Sequence, residues 1–205
     1  MSEVILIVVS VALFGSVHSM LAAYQAKLIA RRALGHNLAT SIYRLAFNLI
    51  AVLSIAPALY WTFALPDREL YRFPEIVNIV AVSVQAIAGL GVVYSIYQLD
   101  FFFFSGLRQL IGVNRFALES TSTAHLVTNG LHRYVRHPLY ATSLIFLYLT
   151  SPMTINRLAL IASITLYFYI GSIFEERKLV REFGEAYRQY QIQVPRLIPR
   201  LRQHL

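Results

Sequence analysis

Two charged stretches about forty residues apart hold the residue types in this chain that do chemistry. The first is His125-Leu126-Val127-Thr128-Asn129-Gly130-Leu131-His132-Arg133-Tyr134-Val135-Arg136-His137-Pro138-Leu139-Tyr140. The second begins at Glu175-Glu176-Arg177-Lys178 and continues through Phe183-Gly184-Glu185-Ala186-Tyr187-Arg188-Gln189-Tyr190 to Val194-Pro195-Arg196. Both abut long apolar runs. Ionisable groups at a bilayer are costly, so their default reading is a functional site. Pro138 suits the first turn of a helix, where its missing N–H costs nothing. The free amides and positive dipole of such a turn favour a carboxylate or phosphate, and Arg136 and His137 add charge there. Glu175 and Glu176 suit an ammonium or ribose hydroxyls.

The elements that must position these groups are membrane helices. The chain has 205 residues, of which 57% are hydrophobic, too apolar for a soluble domain of this size. Five apolar runs stand out: Val4 to Tyr24, Leu45 to Leu65, Ile76 to Leu99, Leu139 to Thr150 and Ile155 to Phe174. Most approach the roughly 20 residues that a spanning helix needs. The expected fold is all-α, an integral membrane bundle of five transmembrane helices with a cytoplasmic C-terminal helical tail. Residues 1–120 supply an N-terminal three-helix region. Residues 121–205 supply the cofactor-binding hairpin and tail, within one domain overall. The first run lacks the basic lead of a signal peptide, carrying Glu3 and no Lys or Arg before it, so it is expected to be retained.

Charge orients the bundle. Fifteen of the 18 Lys and Arg fall in the first loop, the third loop and the C-terminal tail. By the positive-inside rule the N-terminus lies outside and the C-terminus in the cytoplasm. Ser151-Pro152-Met153-Thr154 signals a tight turn. The last two runs then form an antiparallel hairpin that returns Arg136-His137 and Glu175-Glu176 to one side. The fourth run, at 12 residues, rises only about 18 Å against about 30 Å for the fifth. A recessed start to the fourth helix leaves a polar notch roofed by the tail.

Other uses of the charge are excluded or ordinary. The net charge of +8 reads as flanking charge facing anionic membrane lipid. No recognition motif accompanies it, so no nucleic acid is expected. The absence of cysteine removes disulfides and thiolate ligands, the six histidines lack metal-binding spacing, and no metal is expected. Phe101 to Phe104 beside Asp100 reads as an interfacial aromatic belt. Arg44 and Asn48 share a helix face and serve either a substrate entrance or helix packing. His18 reads as a packing residue. Glu175 and Glu176 also admit a plain pairing with Arg177 and Lys178.

The segment Gly130 to Tyr140 resembles the "RHPxY" region of isoprenylcysteine carboxyl methyltransferases, with His125-Leu126-Val127-Thr128 resembling their "LVT" lead-in. The Glu175-Glu176 pair, Phe183-Gly184 with Tyr187 and Tyr190, and Val194-Pro195-Arg196 resemble their tail. His18-Ser19, Asp100, Gly106-Leu107-Arg108-Gln109, RHPLY and Ser151-Pro152-Met153-Thr154 are similar to bacterial methanethiol S-methyltransferases and NnrU-type relatives. The resemblance implies an inner-membrane enzyme that uses S-adenosylmethionine and acts on a small hydrophobic or thiol substrate. It implies cofactor contacts from Arg136, His137, Tyr140, Glu175 and Glu176, with Tyr187, Tyr190, His125 and Val127 joining them. His132 departs from the family's usual Tyr. Thr142 departs from its usual Gly and is expected to narrow the space beside the site.

Methyl transfer from a sulfonium is an in-line displacement in which positioning supplies much of the acceleration and desolvation helps. A nearby cation favours a thiolate acceptor, which makes Arg108 and Arg136 the candidate catalytic residues. Two other classes stay open: an NADPH-dependent membrane reductase of the sterol-reductase type, and a non-catalytic NnrU-like membrane protein.

Overall fold

The structure is a computed structural model that describes residues 2–98, 102, 105–107 and 126–200. It is an all-α membrane bundle. In chain order the helices are α1 (Ser2–Ala22), α2 (Tyr24–Leu34), α3 (His36–Ala64), α4 (Glu75–Gln98), α5 (Pro138–Tyr148), α6 (Ile155–Phe183) and α7 (Glu185–Gln193). Two short strands, β1 (Glu69–Tyr71) and β2 (Met153–Thr154), pair with each other. A 3-10 turn at Gly130–Arg133 precedes α5.

Four helices are long and apolar enough to cross a membrane: Ser2–Ala22, Ser41–Ala64, Glu75–Gln98 and Ile155–Phe183. The fourth expected run folds as α5, with 11 residues, about 16 Å long and short of a full hydrocarbon thickness. Two further details differ from the sequence reading. The cations Lys27, Arg31 and Arg32, expected in a loop, lie on α2, because strong helix formers at helical spacing extend through Leu34. The fifth run does not stop at Phe174. Glu-Glu-Arg-Lys-Leu-Val-Arg-Glu-Phe contains no breaker, so α6 runs unbroken to Phe183 and carries Glu175 and Glu176 inside it.

The chain forms two compact units. In the first, α1 packs antiparallel on α3. Ile7 and Val11 are buried there, the His18 and Phe47 rings lie 4.6 Å apart, and the Tyr43 hydroxyl donates to the Leu21 carbonyl at 2.6 Å. The Asn48 amide donates to the Ser105 carbonyl at 3.0 Å. The start of α6 is pinned in the same unit: the buried Asn156 donates its amide to the Pro66 carbonyl and its backbone N–H to Asp67.

The second unit holds most of α4, all of α5, the later part of α6, and α7 with the following tail. Gln85 of α4 donates to the Phe146 carbonyl of α5 at 2.8 Å. Further along, a Cβ at Gly91 would lie 2.8 Å from the Thr142 methyl. Thr142 directs its bulk at α4, where Gly91 makes room, and Tyr140, two residues away, occupies the opposite face of α5. On that face Tyr148 bonds Thr165 at 3.1 Å, and Tyr140 stacks on Phe168 of α6. These contacts fix α5 and α6 as antiparallel neighbours.

Gly184 ends α6 with φ +57° and ψ −127°, a conformation that side chains strongly disfavour. The chain reverses there. Tyr187, Tyr190 and Val194 then close on Leu179, Val180 and Phe183 as a small apolar core, with Leu126 against its edge.

Candidate active site at the start of helix α5

The two charged stretches meet in the second unit, and their meeting point is Glu176. Its side chain is only 4% exposed, and every partner is a donor. Arg136 approaches side-on, Nε to Oε1 at 2.8 Å and Nη2 to Oε2 at 3.1 Å. Arg196 does the same from the tail, Nε to Oε1 at 3.1 Å and Nη2 to Oε2 at 2.9 Å. The His137 Nε2 lies 3.1 Å from Oε1, and the Gln191 amide donates to Oε2 at 2.9 Å. Six donors thus saturate one carboxylate. Bidentate guanidinium–carboxylate pairs are among the strongest and most direction-specific hydrogen-bonded contacts.

The backbone closes the same clasp. The Arg136 N–H donates to the Pro195 carbonyl and the His137 N–H to the Arg196 carbonyl, at 2.9 and 3.1 Å. Arg136 Nη1 donates to the carbonyls of Gln191 and Val194. Tyr190 donates its hydroxyl to the His132 carbonyl at 2.7 Å. The tail after α7 is therefore bound by its main chain to the two residues that lead into α5. Arg196 also lies over the Tyr169 ring at 5.6 Å, which adds a cation–π contact.

Glu175 is different. One residue along a helix is a rotation of about 100°, so it faces α5 while Glu176 faces the tail. Its carboxylate accepts the Tyr140 hydroxyl at 3.2 Å and lies 3.4 Å from His137 Nδ1. Its side chain is 48% exposed, which leaves oxygen lone pairs open to a ligand. Beside it the His137, Tyr140 and Phe168 rings form a nearly parallel stack, with centroids 5.4 and 4.5 Å apart and tilts of 2° and 13°. The open lone pairs of this carboxylate, at the edge of an aromatic stack, can accept from the N–H or O–H donors of a ligand.

The charge state of His137 follows from its neighbours. Burial works against the imidazolium, but hydrogen bonds and charge from Glu175 and Glu176 outweigh it, so its pKa is raised. Both ring nitrogens face carboxylates, as a doubly protonated ring requires. His132 goes the other way: burial, and then the charge of His137, lower its pKa. Burial, aided by nearby charge, raises the pKa of Tyr187, and burial pushes Tyr190 up to about 12. Both stay neutral phenols.

Of the residues singled out in sequence, Arg136, His137, Tyr140, Glu175 and Glu176 come together in one cluster. Tyr187 and Tyr190 lie behind it as the buried core of the tail, their rings 5.7 Å apart and edge to face. Val127 sits before the 3-10 turn with 41% of its surface exposed. Arg108 and His125 lie outside the described residues, as do Asp100 and Gln109. Sequence reasoning passed over Gln191 and Phe168, and it treated Arg196 only as part of a Val-Pro-Arg motif. The one available signal was that motif, a cation at the end of a proline-stiffened tail.

Residues 8–194 match a protein family described as "Protein of unknown function (DUF1295)". The chain is similar to methanethiol S-methyltransferase of Crocosphaera subtropica, 29% identical over 188 residues, covering 91% of this chain and 71% of that protein. It is similar to methanethiol S-methyltransferase 1 of Bradyrhizobium diazoefficiens, 29% identical over 202 residues, covering 96% and 67%. A shorter likeness, 31% over 121 residues and about half of each chain, is to protein-S-isoprenylcysteine O-methyltransferase of Schizosaccharomyces pombe. No solved structure matches.

Proposed function

This chain belongs to the family described as "Protein of unknown function (DUF1295)", and from that membership we propose that it is a multi-pass membrane methyltransferase using S-adenosylmethionine. The relatives named above are methyltransferases by name. The observation that carries the reading to a site is Glu175, half exposed beside the His137–Tyr140–Phe168 stack. When bound, S-adenosylmethionine supplies a methyl group already activated by its sulfonium.

The residues present fit such a molecule. Glu175 accepts an ammonium or a hydroxyl through its open lone pairs. The stack of Tyr140 between His137 and Phe168 holds the Tyr140 hydroxyl on Glu175 and so fixes that carboxylate's position. His137, set between the two carboxylates, holds both of them in place through its two ring nitrogens. Arg136, Glu176, Arg196 and Gln191 act from behind. They fix the tail against the entry to α5, and so fix the angle between Glu175 and the aromatic stack. Tyr187 and Tyr190 pack that tail, Val127 precedes the 3-10 turn ahead of α5, and a cofactor contact from Val127 or His125 rests on the family resemblance alone.

The acceptor is a small thiol or another lipophilic molecule that reaches the site from the bilayer. A neighbouring cation favours its thiolate, a role that falls to Arg108 of the two cations expected to play it, because Arg136 spends its guanidinium on Glu176 and on the carbonyls of Gln191 and Val194. The protein sits in the inner membrane with its N-terminus outside and its C-terminus in the cytoplasm.

The test is a calorimetric titration of the full chain in detergent with S-adenosylhomocysteine and, separately, with NADPH. Saturable heat from the first and none from the second is expected, followed by dimethyl sulfide in the headspace when methanethiol and S-adenosylmethionine are added. Heat from NADPH alone would select the reductase reading and sink this one.

A further inference from the structure

An open cleft of about 670 Å³ runs along the opposite flank of α6 from Tyr140. Its wall on α6 is Ile173, Phe174, Arg177, Val180 and Arg181, and the tail contributes Gln191 and Arg196. We propose that this cleft binds one anionic phospholipid, its phosphate held by Arg177, Arg181 and Arg196 and an acyl chain lying along Ile173 and Phe174.

The cleft has the polarity of such a molecule along its length. Residues 173, 177 and 181 are four apart and share one helix face. Along that face the apolar Ile173 gives way to two guanidiniums over about 12 Å. The change falls where the apolar sequence of α6 gives way to charge after Phe174, a position that suits a headgroup phosphate. Phe174 is 62% exposed, and the Arg177 guanidinium lies over its ring at 5.6 Å. That contact holds Arg177 at the polar end of the apolar wall.

Charge complementarity selects an anion. Glu176 also borders the cleft, but six donors use its oxygens. Neither Arg177 nor Arg181 has a carboxylate partner among the ion pairs of the described residues. Two arginines without a carboxylate partner among the described residues, and Arg196, which is paired with Glu176 and 28% exposed, face a space whose other wall is hydrocarbon. Guanidinium forks match phosphate oxygens bidentately, and each basic residue near an anionic membrane surface adds a comparable increment of binding. A free phosphate satisfies the cations and leaves the apolar wall in water; a zwitterionic lipid covers the apolar wall and offers a phosphate, but brings a positive charge beside three guanidiniums.

The experiment uses the purified full chain in neutral detergent. Native mass spectrometry counts retained lipid, and melting is followed with added phosphatidylglycerol, phosphatidylcholine or inorganic phosphate. Wild type is expected to retain one phosphatidylglycerol and to melt higher with it alone. The double variant Arg177→Gln/Arg181→Gln is expected to bind it roughly thirtyfold more weakly while melting like wild type without lipid. Equal stabilisation by phosphatidylcholine, full competition by inorganic phosphate, unchanged affinity in the double variant, or displacement of the lipid by S-adenosylhomocysteine would each overturn the proposal. The site and the enzyme reading fail separately, because the lipid count needs no methyl donor.

Discussion

Replacing Glu176 by glutamine separates the two neighbouring carboxylates more sharply than any other change. The amide keeps one oxygen, so whichever way it turns, three of the six donors around Glu176 meet an NH2 group instead of an acceptor. Arg136 is left buried, its side chain 9% exposed, and facing a neutral group. Breaking a buried ion pair from one side costs about 3–5 kcal/mol. The retained half of the hydrogen bonds, and the carbonyls of Gln191 and Val194 that still serve Arg136, set the expected loss at the lower end, about 3 kcal/mol. For a chain of this length that lowers the melting midpoint by roughly 6–12 °C. Glu175→Gln is the control. Glu175 is half exposed and serves one hydroxyl and one ring nitrogen, so its change costs about 1 kcal/mol or less in stability. It removes a charged ligand contact, and S-adenosylhomocysteine affinity should fall at least about tenfold. Melting curves in detergent, paired with calorimetric titration of both variants, read the two effects. If Glu176→Gln melts with wild type, or Glu175→Gln binds the ligand unchanged, the division of labour between the carboxylates is wrong.

Two other outcomes are expected. His137 has a raised pKa in the folded protein, so its contribution to stability is fully present below the unfolded value near 6.5 and is lost as pH rises through the folded value; a pH series of melting midpoints should decline above about pH 6.5 in wild type and lose part of that slope in His137→Gln. Gly91→Ala should cost about 1–3 kcal/mol by overpacking, since the added Cβ lies 2.8 Å from the Thr142 methyl, and Thr142→Ser, which removes that methyl, should restore most of the lost melting temperature.

The sequence determined the local features. Apolar length marked the spanning helices, because a bilayer demands an uninterrupted run whatever the neighbours. Pro138 marked the start of α5, where the ring's fixed geometry is pre-formed for a first turn, and the composition after Phe174 marked where the apolar part of α6 ends. The pairing of RHP with the two glutamates was legible through likeness to known motifs, and the structure places Arg136 and Glu176 2.8 Å apart. What the sequence left undecided was the division of labour. Glu175 and Glu176 are the same residue type at adjacent positions, and helical pitch says only that they point about 100° apart. Which one meets Arg136, Arg196 and Gln191, and which stays open beside Tyr140, depends on where α7 and the tail settle. That position is set by the reversal at Gly184 and by Tyr187, Tyr190 and Val194 packing on Leu179, Val180 and Phe183. Six donors converging on one carboxylate from three separate segments is a long-range arrangement, and no local propensity encodes it.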